Sequence, residues 1–162
     1  MEIFWAQAIL AGVVGAGLVL VAVVAGKIMG LNTDVLRLIG LFFVPEERSP
    51  KLIYAVGLVV HFVVGGFFGI IYAILFTAVG AVTVVGAAAL WGILFGALHG
   101  VVIGSSLGAL PALHPRVGNG GSLPAPGFFG KNIGVAMPVA LTLLHVIYGV
   151  TAGIVYSVGI LG

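Results

Sequence analysis

Apolar residues run through this chain in long unbroken stretches, and its polar positions gather between them. Four stretches, roughly residues 4–26, 52–77, 79–107 and 133–161, each exceed the ~20 apolar residues that a helix needs to cross a bilayer. The runs are continuous and do not alternate, so they predict helices and not the strands of a membrane barrel. The second and third stretches meet at an uncharged turn near 78–83. Left as one helix they would be about twice as long as a bilayer is thick, so the chain must break there. The pattern predicts an all-α polytopic membrane protein: one domain, 1–162, built as a bundle of four transmembrane helices.

The two longer connections have patterns of their own. In the first, Val35, Leu38, Ile39, Phe42 and Phe43 recur at helical spacing. They predict a short interfacial helix over about 33–43, capped by Asn32 or Thr33, with its apolar side towards the bilayer. Pro45 ends it. The second connection, Ala109–Lys131, carries Pro111, Pro115, Pro124 and Pro126 around a GNGGS run and reads as irregular backbone. His114 falls within it, as an exposed residue with little claim to a ligand role. Lys27, Arg37, Arg48, Lys51, Arg116 and Lys131 are all the lysines and arginines of the chain, and all lie in these two connections. The positive-inside rule therefore places both connections in the cytoplasm and both termini outside.

Composition narrows the class further. Apolar residues make up 62% of the chain and charged residues 6%, with mean hydropathy +1.35, far from soluble domains. The absence of cysteine removes disulfides, thiolate metal sites and thiol nucleophiles together. A net charge of +2 spread over the connections gives no argument for nucleic acid. The first stretch is a poor signal peptide, because its flanking cation, Lys27, follows the apolar run. Ser105 and Ser106 have no base–acid pair beside them, and no glycine-rich stretch carries phosphate-loop spacing with a lysine. Enzymatic activity has no support from these motifs.

Candidate chemistry comes from a repeat. Residues 61–72, HFVVGGFFGIIY, and 145–156, HVIYGVTAGIVY, share the pattern H-x-x-x-G-x-x-x-G-I-x-Y. At 100° per residue, His61, Gly65, Gly69 and Tyr72 share one helix face, as do His145, Gly149, Gly153 and Tyr156. Trp5 and Trp91 open corresponding stretches, and Pro126-Gly127-Phe128-Phe129 resembles Gly40-Leu41-Phe42-Phe43. These matches predict a duplicated hairpin, with halves of roughly 1–78 and 85–162 related by a pseudo-twofold axis along the membrane normal. On this register Ala11 or Gly12 stands where the second half has His99. Gly92, Gly96, Gly100, Gly104 and Gly108 form a small-residue ladder suited to close helix packing. Pro138 is expected to kink the fourth helix and free the carbonyl of Gly134.

Ionisable side chains are costly inside a bilayer and tend to be functional. His61, His99 and His145 are the ones here, and four readings stay open. As neutral groups they donate interhelical hydrogen bonds, worth ~0.6–2 kcal/mol in membranes, and need no ligand. As a pair, His61 and His145 would ligate a b-type haem across the pseudo-twofold axis, with Gly65 and Gly149 admitting the porphyrin. As a trio, His61, His99 and His145 would hold Cu or Zn with one position open. Quinone contact and proton relay complete the set. If the duplication holds, the rings of His61 and His145 lie at similar depth and face a common space. No Asp, Glu, Lys or Arg lies deep in the four stretches, which argues against carboxylate-based pumping.

HFVVGGFFGIIYAIL, GALHGVVIG and LLHVIYGVTAGIVY resemble the helix signatures of a domain-of-unknown-function family of small four-helix bacterial and archaeal membrane proteins. The resemblance implies a multi-pass protein of the prokaryotic cytoplasmic membrane and brings no activity with it. The expected function is that of a non-catalytic accessory or anchoring subunit, with respiratory electron transfer as its setting and the bilayer and other membrane subunits or further copies as its partners. A haem- or metal-bearing redox protein and a small homo-oligomeric channel or carrier are the alternatives.

Overall fold

The computed structural model describes residues 2–30, 34–118, 120–121 and 123–161, and among them it is helical with no strand. Helix α1 spans Trp5–Ile28 and a short helix α2 spans Val35–Phe43. Helix α3 runs Pro50–Ala78 and α4 runs Val85–Ser106. A 3-10 turn, Leu107–Ala109, leads into the single turn α5, Leu110–Leu113, and α6 closes the chain as Met137–Leu161. Four helices are long and apolar enough to cross a membrane: α1, α3, α4 with its α5 extension, and α6. The protein is thus consistent with a multi-pass membrane protein.

Local chemistry explains the boundaries and corrects three expectations. Ser49 accepts the Leu52 N–H at 3.4 Å and Pro50 takes the first helical position, so α3 starts there. It ends in a Schellman motif: Gly80 has φ +69°, its N–H reaches the Thr77 carbonyl, and the Ala81 N–H reaches Phe76. Residues 79–84 are therefore a turn, and α4 begins six residues later than the apolar run. Pro138 is the second residue of α6, where a missing N–H costs nothing, so it helps to start the helix and does not kink it. The Gly134 carbonyl is not freed but accepts the Met137 N–H at 3.0 Å. Asp34, and not an earlier residue, caps α2 through Oδ1 to the Arg37 N–H; the expected caps, Asn32 and Thr33, lie outside the described residues.

In packing order the long helices run α3, α1, α6, α4, each antiparallel to its neighbour, with α2 laid on the start of α3. α2 packs on α3 through glycines: a Cβ on Gly40 of α2 would run into the Ile53 carbonyl of α3, one on Gly57 of α3 into the Leu36 carbonyl of α2, and Gly40 and Leu41 are the buried residues of α2. Leu41, Val44 and Ile53 join Val117 and Leu123 in a second small core at the basic end of the bundle.

Candidate functional site

The glycines of the repeat determine how the helices cross. A Cβ on Gly65 would lie 2.6 Å from the Ala16 Cβ, and one on Gly12 would lie 2.8 Å from the Gly69 Cα. In the second half, a Cβ on Gly96 would lie 2.6 Å from the Val146 Cα, and one on Gly149 would run into the Gly92 carbonyl. The crossings match residue by residue: Ala8, Gly12 and Ala16 meet Gly69 and Gly65 as Ala88, Gly92 and Gly96 meet Gly153 and Gly149. In this register α1 and α4 are offset by 80 positions while α3 and α6 are offset by 84. Trp91 therefore corresponds to Ala11 and not to Trp5. The counterpart of His99 is Val19, and not Ala11 or Gly12.

That register explains where the histidines go. His61, on α3, places Nε2 3.1 Å from the Ala16 carbonyl on α1, with Phe62 as its aromatic neighbour. His145, on α6, turns Nδ1 to the carbonyl of Leu141 one turn back, at 2.7 Å, and meets the His99 ring edge-to-face with centroids 4.6 Å apart. Nδ1 of His99 lies 3.3 Å from the Tyr72 hydroxyl, and Phe68 covers the ring at 4.1 Å. The first half has Val19 where an imidazole would be needed, so only the second half forms a histidine pair. His61 bonds to the α1 backbone, whereas His145 bonds to its own helix and meets the His99 ring, so the two histidines share no partner.

Of the three candidate histidines, the structure brings His99 and His145 together and sets His61 against α1. The room beside Gly65 and Gly149 that a porphyrin would need is filled by α1 and α4 backbone. Tyr148 stacks on Gly15 and donates its hydroxyl to the Gly65 carbonyl at 2.5 Å, closing the same space from the other side. Among the described residues no three histidine or acidic side chains come close enough to share a metal ion.

The pseudo-twofold axis also fails in detail. α1 and α6 pack closely, with Gly15 receiving the Tyr148 ring and Gly159 receiving Gln7. The symmetric partner seam, between α3 and α4, is held open by side chains: Tyr72 and Phe76 both meet Phe95 there, and Phe68 meets His99. The glycine ladder that runs from α4 into the following 3-10 turn divides as well. Gly92, Gly96 and Gly100 take α6, whereas Gly104 and Gly108 receive the rings of Phe129 and Phe128. Phe128–Gly130 is a 3-10 turn with Phe129 in the left-handed region, whereas Gly40–Phe43 is α-helix, so the resemblance between those two segments is not structural.

Two groups of polar contacts escape a reading of the sequence. Tyr156 accepts the Phe4 N–H at 3.2 Å, and Ser157 donates to the Val82 carbonyl at 2.7 Å, tying α6 to the start of α1 and to the α3–α4 turn. At the basic end, His114 Nε2 and the Arg116 guanidinium both reach the Phe42 carbonyl, at 3.1 and 2.6 Å. His114 Nδ1 takes the Arg116 N–H at 3.3 Å, which fixes its tautomer. His114 is thus a clasp between the two connections and not a free loop residue. A Tyr following an H-x-x-x-G repeat marks a helix face, but nothing in a single sequence says which carbonyl it will meet.

No family model, curated protein or solved structure matches this chain.

Proposed function

We propose that this protein is a non-catalytic accessory or anchoring subunit of a larger membrane complex. One observation carries the reading: inside the bundle the histidines and most other polar side chains are spent on the protein itself, the Thr77 hydroxyl being the buried exception among the described residues. His61, His145, Tyr148 and Ser157 hold backbone carbonyls, and Tyr72 and His99 hold each other. What remains for a partner is the outside, where exposed apolar residues such as Leu10, Val63, Leu90 and Val102 face outward from three different helices. Respiratory electron transfer is the setting in which such small anchors serve, and it enters here as part of the proposal.

The same reading takes the matched crossings as a duplicated helical hairpin in a four-helix bundle, and puts the basic connections in the cytoplasm with both termini outside the prokaryotic inner membrane. Copurification under mild detergent tests it. A second membrane subunit comigrating in fixed stoichiometry through two chromatographic steps, with a featureless visible spectrum, is the expected result. A monodisperse single-chain species, or a Soret band lost in His61→Ala, would overturn it.

A further inference from the structure

The start of α6 carries an open groove of about 440 Å³ lined by Phe129, Lys131, Pro138, Val139, Thr142 and Leu143. Its wall is almost wholly apolar. The one hydroxyl, Thr142 Oγ1, is turned away to the Pro138 carbonyl at 2.9 Å, one turn back on its own helix. Lys131 stands at the rim, ahead of Pro138, the first residue of α6 to line the groove. Val135, between them, is 98% exposed. A fully exposed valine beside a lysine, just before a spanning helix, is at home at the boundary of headgroups and acyl chains.

Charge is unbalanced here. The chain has four acidic residues, Glu2, Asp34, Glu46 and Glu47, and none after Glu47. Asp34 is paired with Lys27 and Glu46 with Arg37 within the first connection, and all three acids near the basic end, Glu47 included, lie in that connection and not in the one that carries Lys131. Arg116 is turned inward to the Phe42 carbonyl. Lys131 makes no ion pair among the described residues and is exposed. The back wall supplies an independent sign. Phe129 is the one non-glycine residue with positive φ among the described residues, at φ +55° and ψ +22°. A bulky side chain rarely adopts that conformation, and such outliers cluster where a ligand is held. The ring fits there because position 104 is glycine: a Cβ on Gly104 would run into it.

We propose that this groove binds one anionic phospholipid, its phosphate on Lys131 and one acyl chain lying over Pro138, Val139 and Leu143 against the Phe129 ring. The site rests on a bilayer position for the chain and does not depend on the accessory-subunit reading.

Native mass spectrometry from mixed micelles with phosphatidylglycerol and phosphatidylcholine tests it. The wild type is expected to retain one phosphatidylglycerol in preference to phosphatidylcholine. Lys131→Gln should lower that preference about fivefold, the factor one lysine contributes beside an anionic surface. Val139→Trp, which fills the groove, should remove retention of both lipids, while Val59→Trp on the exposed face of α3 should change neither. Equal retention of the two lipids, or wild-type retention in both groove variants, would overturn the proposal. Should the groove variants not fold, a phosphatidylglycerol with a photoreactive acyl chain decides the question on the wild type. Crosslinks gathered on residues 138–143 support the site; crosslinks spread evenly over the four helices, or replaced there by protein–protein crosslinks, overturn it.

Discussion

A methyl group on Gly12 would press on the backbone of α3, 2.8 Å from the Gly69 Cα and closer still to the Gly65 carbonyl. Backbone cannot rotate aside as a side chain can, so the helices must separate. In a bilayer that separation is expensive, because close van der Waals contact and interhelical hydrogen bonds drive the association. Gly12→Val should therefore destabilise the protein by ~1–3 kcal/mol, the usual cost of overpacking a tight interior. Gly17 lies five residues along the same helix and offers the contrast: a Cβ there meets only the Phe62 ring, at 3.9 Å. Gly17→Ala should be neutral or stabilising by up to ~1 kcal/mol, since alanine is the better helix former. Unfolding of the two variants in detergent checks the pair; equal losses in both would mean that the α1–α3 contact is not what these glycines provide.

At the scale of elements, the first connection is held by a charged clasp. Asp34 caps α2, takes the Lys27 ammonium at 3.0 Å from the end of α1, and accepts the Tyr54 hydroxyl at 2.6 Å from the first turns of α3. Burial alone would raise the Asp34 carboxyl, but these bonds from Tyr54, Lys27 and the Arg37 N–H outweigh it and hold it below its ordinary value of 3.8. A depressed carboxylate contributes stability that is present above its unfolded value and lost as pH falls through the folded one. Asp34→Asn should thus cost under ~1 kcal/mol at neutral pH, since the group is partly exposed and screened. The difference from wild type should shrink below about pH 4; a pH-independent difference would show that the carboxylate charge is not involved. The apolar runs make the four spans legible, but they start α4 six residues early. The runs continue through Val79–Val84, and only the left-handed Gly80 and the bond from Ser157 to Val82 stop the helix there. The histidine face is legible as a face; its partners are not. A four-residue difference between the two repeat offsets puts Val19 where the first half would need a counterpart of His99, and that shift is visible only when backbones are seen to touch.

For the whole molecule, the two helix pairs cross by the same contacts yet assemble unequally. α1 and α6 close on small residues, while α3 and α4 stand apart on Tyr72, Phe76 and Phe95. The basic end is stiffened by a second core and by the His114–Arg116 clasp, and the connection at the opposite end is the short uncharged turn at 79–84, tied to α6 by Ser157. Such polarity orients a multi-pass protein, because cationic connections resist translocation and uncharged ones do not. The chain has no cysteine, so a single introduced thiol reports on its own position without background. Thr83 and Arg48 are both exposed and lie at opposite ends of α3 and its flanking turns. In intact cells a membrane-impermeant maleimide should label Thr83→Cys and leave Arg48→Cys untouched until the membrane is opened. The reverse pattern would invert the proposed orientation and would move Lys131, with its groove, to the outer leaflet. Labelling of both in intact cells would mean that the chain inserts in two orientations, and that six basic residues on one end are too few to decide between them.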